Sequence, residues 1–331
     1  MARPATPVAP VADKARKFAI QASLLAYLIV VLYPMIWLLI SSVRKSQELF
    51  TAANPWGLPK VWYWQNYHKA WVEGKFGAYF VNSVVITTAS LLVIISVSAM
   101  AAYVLGRFKF RGSRALLYYF LAGMTFPMQL MLIPLFFQML HLHLLNTYAS
   151  LIIIYSAASL PFTIFVLSAF FEGLPGELHD AAEIDGCSEF GVFWRIMLPL
   201  ARPGLITVAI FNFLGIWNEY LYALVFITDE RLRTLPLGLA NLAINKQYDT
   251  DLGALFAGCV IVMVPALIVY GVLQSYLTKG LASGAIKGEG KAGFRFRGRR
   301  GDEGCHSERS EKSRRSRAAL GANLMLRIYQ V

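Results

Sequence analysis

The sequence predicts an all-α membrane protein that crosses a lipid bilayer six times. Hydrophobic residues make up 57% of its 331 residues and charged residues only 15%, against roughly 25% charged residues in a soluble domain. A hydrocarbon core takes about 20 helical residues to cross, and backbone groups in lipid must be hydrogen-bonded within their own segment. Long apolar stretches therefore predict six helical spans, at 18–43, 77–105, 115–140, 149–171, 203–227 and 253–277.

Basic residues in the short loops predict the orientation of these spans, because Lys and Arg are retained on the cytoplasmic side. Lys14, Arg16 and Lys17 directly precede the first span, and four more basic residues crowd the loop 107–114. The loop between the third and fourth spans has no Lys or Arg. The first apolar segment is longer than the core of a signal peptide, about 7–15 residues, so we expect a retained helix. Both termini should then be cytoplasmic, with 1–17 as a short cytoplasmic segment.

The segment 289–331 differs from the rest of the chain in composition. It is rich in Arg, Ser and Gly and poor in apolar residues, which is typical of a disordered tail. Because this tail holds much of the net charge of +12, the basic balance does not indicate nucleic-acid binding. Two interpretations of the tail stay open: contact with anionic lipid on the cytoplasmic side, or no function.

The segment at about 172–202, between the fourth and fifth spans, is predicted to form two short helices joined by a glycine turn. Glu177 favours a helix N-terminus through its interaction with the helix dipole. Gly186 can adopt the positive φ that ends a helix. Ser188 can cap a second helix, which we expect Pro199 to end.

The exposed faces of this loop should combine small and acidic residues. Small side chains allow the backbone of a partner to approach closely, and acidic ones offer charge. An amphipathic connector lying on the membrane surface would have the same features, so these residues by themselves leave both interpretations open. The residues concerned are Ala181 and Ala182, with Asp180, Glu183 and Asp185.

The spacing of residues in this loop resembles the EAA loop of binding-protein-dependent ABC permeases. That motif reads Glu-Ala-Ala, three residues, Gly, nine residues, and Ile-x-Leu-Pro. This chain has Asp180-Ala-Ala, then Gly186, then Ile196-Met-Leu-Pro199. Only the first position departs from the motif, since Asp180 has a side chain one methylene shorter than Glu. The resemblance continues to Gly288 and is closest to the second, six-helix permease of the maltose-type carbohydrate importers.

The resemblance implies a type I ABC importer permease fold over residues 18–288, in a bacterial inner membrane. It implies a second permease subunit, two ATPase subunits and an extracytoplasmic solute-binding protein as partners. ATP and Mg would be used by the partner ATPase, and this chain would bind no cofactor and be no enzyme. The sequence Trp217-Asn-Glu-Tyr220 in the fifth span is typical of sugar importers within that family.

In that family the EAA loop docks in a groove on the ATPase and moves with it when ATP binds. The fourth and fifth spans flank the loop, so the resemblance implies that they move with it. The implied ATPase-coupling residues are Asp180, Ala181, Ala182, Glu183, Asp185, Gly186, Ile196, Leu198 and Pro199.

Polar residues within the spans are candidates for the solute pathway, because polar groups in a membrane are expensive and often functional. Sugar recognition needs hydrogen-bonding groups beside aromatic rings. The alternative is that these residues hydrogen-bond one helix to another. The candidates are Asn82, Gln129, Ser156, Asn212, Asn218, Glu219 and Tyr220.

Two other classes of protein compete with the permease interpretation. A secondary transporter driven by an ion gradient favours broken helices and acids near the midplane, and only Glu219 approaches that description. A membrane-embedded enzyme would need a nucleophile, a metal cluster or an acid–base pair in the spans. The three cysteines have no spacing typical of a metal site or a disulfide framework. The sequence also lacks a phosphate-binding loop of its own.

Overall fold

The structure, a computed structural model, describes residues 10–51, 57–245 and 251–286, most of which are helical. Within these ranges there is no β-strand. The predicted tail 289–331 and the first nine residues lie outside them. The helices are α1 (Pro10–Ser42), α2 (Ser46–Thr51), α3 (Gln65–His68), α4 (Phe76–Arg107), α5 (Ser113–Gly123), α6 (Leu132–His141), α7 (Tyr148–Glu172), α8 (Glu177–Ile184), α9 (Glu189–Val192), α10 (Leu198–Leu200), α11 (Arg202–Trp217), α12 (Leu221–Phe226), α13 (Leu235–Asn245) and α14 (Leu252–Ile286).

Four helices in the described part of the chain are long and apolar enough to cross a membrane: α1, α4, α7 and α14. They match the first, second, fourth and sixth predicted spans. The apolar stretch of α1 has no buried residue, as expected of a helix that faces lipid. A fifth crossing exists if Glu189–Leu200 and α11, which meet at 72°, form one bent span.

The third predicted span, 115–140, is broken into two helices. α5 ends at Gly123, and a 3-10 helix over Met128–Met131 leads into α6. Pro127 has an extended backbone, with ψ 120°, at the start of that 3-10 helix, and proline lacks the N–H that a continuous helix needs. Pro134 lies in the first turn of α6, where a missing N–H costs little.

The fifth predicted span, 203–227, is also interrupted. α11 ends at Trp217, and α12 begins after a short break. The Glu219 carboxylate accepts hydrogen bonds from the backbone N–H groups of Tyr222, at 2.8 Å, and Ala223, at 3.3 Å. A carboxylate that satisfies the free N–H groups of a helix start stabilises a new helix at that point. The break is therefore encoded by a side chain inside an apolar segment.

The loops gather at two ends of the helix bundle. At the loop end, residues 172–202 lie beside the C-terminus of α4, where Arg107 Nη2 donates a hydrogen bond to the Gly176 carbonyl at 2.8 Å. At the far end, the segment 228–235 lies beside the N-terminal turns of α4. There Asn82 Nδ2 donates to two carbonyl oxygens of that segment.

The helices α4 and α7 pack against each other along their lengths. Gly106 permits their close approach, because a Cβ there would lie 2.6 Å from the Ser168 carbonyl oxygen. At the loop end, both helices share a hydrophobic cluster with residues 172–202 and α11, which we call the loop-end cluster. Its buried members are Ala99, Ala102, Tyr103, Leu167, Phe171, Ala182, Val192, Phe193, Met197, Ala201 and Val208.

Candidate functional site

The first half of the 172–202 loop folds as the sequence predicts. α8 is followed by Gly186, whose φ of +80° turns the chain. Ser188 caps α9, since its Oγ accepts a hydrogen bond from the Gly191 N–H at 3.3 Å. The predicted order of helix, glycine turn and second helix is confirmed.

The second half of the loop departs from the prediction that Pro199 ends its second helix. A wide π turn over Phe193–Met197, in which the Leu198 N–H donates to the Phe193 carbonyl, leads from α9 into α10. Pro199 lies in the first turn of α10, where it has no hydrogen bond to lose. The chain bends instead at Ala201, between α10 and α11.

The two predicted alanines of α8 lie on different faces. Ala181 is exposed, as are the acidic residues Asp180, Glu183 and Asp185. Ala182 is only 5% exposed and belongs to the loop-end cluster. The expectation that Ala182 lies on the exposed face is therefore wrong. Adjacent residues of an α-helix point about 100° apart, so one alanine faces outward while the other packs into the loop-end cluster.

Large apolar side chains extend the exposed surface of the loop and are missing from the predicted set. Ile184 is 86% exposed and Phe190 69%. The ring of Phe190 meets that of Trp194 edge to face at 6.0 Å. Phe190 and Trp194 border a cavity of about 460 Å³ beside the glycine turn. In the sequence these residues could be recognised as large apolar side chains in a charged loop outside the spans. Exposed apolar side chains of this kind mark an interaction surface.

The apolar positions of the motif hold the loop against the bundle. Ile196 and Leu198 are half-buried and pack against the loop-end cluster. Pro199 is exposed. Ile196 and Leu198 therefore connect the loop to the loop-end cluster, whereas the acidic residues of α8 are exposed.

Polar contacts also fix the loop. His179 is only 7% exposed. Its Nε2 lies 3.2 Å from Glu189 Oε2, on the other side of the glycine turn, and the hydroxyl of Tyr103 on α4 donates to the same oxygen at 3.4 Å. Together with the hydrogen bond from Arg107, these contacts hold α8 and α9 to the end of α4.

A second concave feature lies between α7 and the α11–α12 segment, with a volume of about 210 Å³. The Tyr155 hydroxyl donates to Glu219 Oε2 at 2.6 Å. Asn212 Nδ2 donates to Thr163 Oγ1 at 2.9 Å. Aromatic and hydrogen-bonding groups thus share one wall, with a lining that includes Tyr155, Ser159, Phe211, Asn212, Glu219 and Tyr222.

The structure brings two of the seven predicted pathway residues, Asn212 and Glu219, into this cavity. Tyr155 is absent from the predicted set. Its hydroxyl in an otherwise apolar span is the signal that could identify it, because a buried tyrosine hydroxyl needs a partner.

The other five predicted pathway residues do not line the cavity. The amide of Asn82 donates to two carbonyls and accepts a hydrogen bond from the Tyr148 hydroxyl at 2.7 Å. The Ser156 hydroxyl is buried and has no hydrogen-bond partner among the described residues. The remaining three are partly or fully exposed: Gln129, Asn218 and Tyr220.

Ion pairs fasten the segments at the far end. Lys69 Nζ lies 2.7 Å from Asp251 Oδ2, and Ser46 Oγ donates to Asp251 Oδ1 at 2.6 Å. Burial opposes ionisation of Asp251, but the hydrogen bonds from Lys69 and Ser46 outweigh it and hold the pKa of this carboxyl below its usual range. The hydrogen bond to Asp251 raises the pKa of Lys69. The hydrogen bond from Lys75 lowers the pKa of Glu230 in the same way.

Several membrane crossings, a compact two-helix loop fixed to their ends and a cavity with aromatic and hydrogen-bonding groups are the features expected of a membrane component of a transport system. A family model described as "Binding-protein-dependent transport system inner membrane component" matches residues 94–283, which include the loop and the cavity. The chain belongs to this family. It is a multi-pass inner-membrane permease subunit of the ABC type and not an enzyme.

Curated relatives cover most of the chain. The chain is 42% identical to the diacetylchitobiose uptake system permease protein NgcG of Streptomyces coelicolor, over 83% of this chain and 91% of the relative. It is 34% identical to the trehalose/maltose transport system permease protein MalG of Thermococcus litoralis, over 79% and 93% of the two chains. A chain in the crystal structure of a bacterial ABC transporter involved in alginate import shares the fold, with a TM-score of 0.72 at 24% identity, over 82% and 99% of the chains.

Proposed function

We propose that this chain is the permease subunit of an ATP-driven importer of a carbohydrate, a sugar or an oligosaccharide. The observation that carries the proposal is the agreement among relatives that span nearly the whole described chain. The names of these relatives refer to diacetylchitobiose, trehalose or maltose, and arabinooligosaccharides. The cavity between α7 and α11, with aromatic rings beside hydroxyl, amide and carboxylate groups, supports a carbohydrate solute.

The importer would contain a second permease, two ATPase subunits that use ATP and Mg, and an extracytoplasmic solute-binding protein. In this arrangement the loop end is cytoplasmic, as are both termini. α5 and α6 together would form the broken third crossing of a six-helix domain at 18–288. Support comes from the basic residues of 107–114, which follow α4 at the loop end, where retained positive charge is expected.

The 172–202 loop would dock on the ATPase through its outward face. That face combines the acidic residues of α8 and Ala181 with the exposed Ile184, Phe190 and Trp194. The interior face of the loop is packed into the loop-end cluster, so displacement of the docked surface would move the attached helices as a rigid body.

Nucleotide-dependent crosslinking tests this docking. A cysteine placed in the ATPase groove should crosslink to Cys187, which lies beside the turn and is partly exposed. The crosslinking yield should change between the nucleotide-free and ATP-bound complexes. Crosslinking that does not depend on nucleotide would contradict a moving loop.

Co-purification and transport measurements test the function as a whole. The chain should purify with its neighbouring permease, ATPase and binding protein, and ATP hydrolysis should rise with one member of a sugar panel. Uptake should stop on ATP depletion and survive an ionophore. Uptake that collapses with the ion gradient would favour a secondary transporter instead, and a non-sugar stimulant would contradict the carbohydrate assignment.

A further inference from the structure

α4 differs from the other three long apolar helices of the described chain in having no proline. α1, α7 and α14 contain Pro34, Pro161 and Pro265, and proline removes a backbone hydrogen bond and kinks a helix. α4 runs for 32 residues from Phe76 to Arg107, which corresponds to about 48 Å at 1.5 Å per residue. It is therefore the best suited of these helices to act as one stiff body.

The C-terminus of α4 is attached to the 172–202 loop. Arg107 Nη2 donates to the carbonyl of Gly176, the residue that precedes α8, at 2.8 Å. One turn earlier, the Tyr103 ring lies in the loop-end cluster, 5.1 Å from that of Phe193. Movement of the loop must therefore move the last turns of α4 or break these contacts.

The N-terminal part of α4 is attached to the far-end segment 228–235. Asn82 Nδ2 donates to the carbonyls of Arg231, at 2.8 Å, and Arg233, at 2.9 Å. The next residue, Ser83, accepts a hydrogen bond at its Oγ from the Leu235 N–H at 2.8 Å. The backbone of that segment thus hydrogen-bonds directly to α4.

We propose that α4 transmits displacement of the 172–202 loop to the 228–235 segment, with Arg107 and Asn82 as positioning residues at its two ends. The proposal rests on the proposed coupling of the loop to an ATPase. The two residues are 25 positions apart, about 38 Å along the helix, so they have no direct contact. Linkage between binding equilibria is reciprocal, so an event at the far end should also shift the nucleotide-binding equilibrium of the ATPase docked on the loop, for which ATP hydrolysis is the readout.

The test uses the complete transporter and measures ATP hydrolysis stimulated by the loaded solute-binding protein. Arg107→Met keeps the aliphatic stem and removes the donors, whereas Arg107→Lys keeps a charged donor. Arg111→Met is the matched control, because it removes one exposed charge from the same end. At the far end, Asn82→Ala is compared with Asn241→Ala, which removes only a hydrogen bond within α13.

We expect Arg107→Met, which loses one hydrogen bond, to reduce the stimulation roughly three- to tenfold. Asn82→Ala, which loses three hydrogen bonds, should reduce it at least as much. Arg107→Lys should restore most of it, and both controls should match the wild type. Should Arg107→Met fail to assemble, Tyr103→Phe, which removes a single hydroxyl, takes its place.

The double variant Arg107→Met/Asn82→Ala tests whether the two residues act through the same path, α4, or independently. Sites more than about 10 Å apart normally have effects that multiply. If α4 connects the two ends, the double variant should be no worse than the more affected single variant. Multiplicative effects, or single variants with wild-type stimulation, would overturn the proposal. A wild-type complex without any stimulation would instead contradict the proposed function.

Discussion

The turn at Gly186 offers the sharpest test of the loop's mechanical role. Gly186 has φ +80°, and a Cβ at this position would meet no atom within 4 Å. The Cβ introduced by Gly186→Val therefore creates no clash, and the substitution acts chiefly through the backbone. A residue with a Cβ in this left-handed conformation costs about 1–2 kcal/mol, and a β-branched residue is a still rarer occupant.

A strain of this size changes the loop but not the bundle. Since about 1.4 kcal/mol is a tenfold change in an equilibrium, the native turn would be populated roughly 5- to 30-fold less relative to competing conformations. Ala182 and Val192, on either side of the turn, remain buried in the loop-end cluster. We therefore expect Gly186→Val to fold and insert normally and to lose coupling.

The assay is sugar import and ATP hydrolysis by the reconstituted transporter, with the subunit's amount in the membrane measured in parallel. Import should decrease from the wild type to Gly186→Asn, then Gly186→Ala and finally Gly186→Val. Among the three introduced residues, Asn tolerates positive φ best. Gly191→Ala is the control, since Gly191 has no positive φ and its Cβ would lie 3.4 Å from Ser188 Oγ. Wild-type import by Gly186→Val, or its failure to insert, would refute the reasoning.

Two further substitutions test the packing and the far end. Gly106→Ala should destabilise the subunit by about 1–3 kcal/mol, because its Cβ would lie 2.6 Å from the Ser168 carbonyl oxygen. Gly271→Ala, where a Cβ meets nothing within 4 Å, should leave the melting temperature unchanged. Equal melting temperatures for Gly106→Ala and Gly271→Ala would contradict the close packing of α4 against α7. Asp251→Asn should cost roughly 1 kcal/mol, since Lys69 is one-third exposed and its ion pair is partly screened. The pKa of Asp251 is lowered on folding, so this difference should persist above about pH 4 and shrink as pH falls further. A difference unchanged at lower pH would exclude the ion pair as its cause.

The features that sequence predicts well depend on neighbouring residues. Four spans follow from local hydropathy, and the turn between α8 and α9 follows from the short-range conformational preferences of Gly186 and Ser188. The Pro199 prediction fails because the effect of a proline depends on its position within a helix. Its place in the first turn of α10 is set by the π turn before it.

The features that sequence does not predict depend on contacts between distant residues. Asn82 is recognisable as a polar residue in an apolar helix, but its carbonyl partners are 149 and 151 positions away. Ala181 and Ala182 are alike in sequence, and only packing into the loop-end cluster separates the exposed one from the buried one. The lining of the cavity likewise depends on Tyr155, which meets Glu219 across 64 positions.

Glu219 explains why the break in the fifth span and the cavity occur at the same place. Its carboxylate accepts hydrogen bonds from the Tyr155 hydroxyl and from the N–H groups of Tyr222 and Ala223. A carboxylate offers about four acceptor positions, so these three contacts leave about one for a solute. We infer that Glu219 acts mainly by fixing α12 against α7. Recognition within this cavity would then depend more on its aromatic walls than on the carboxylate.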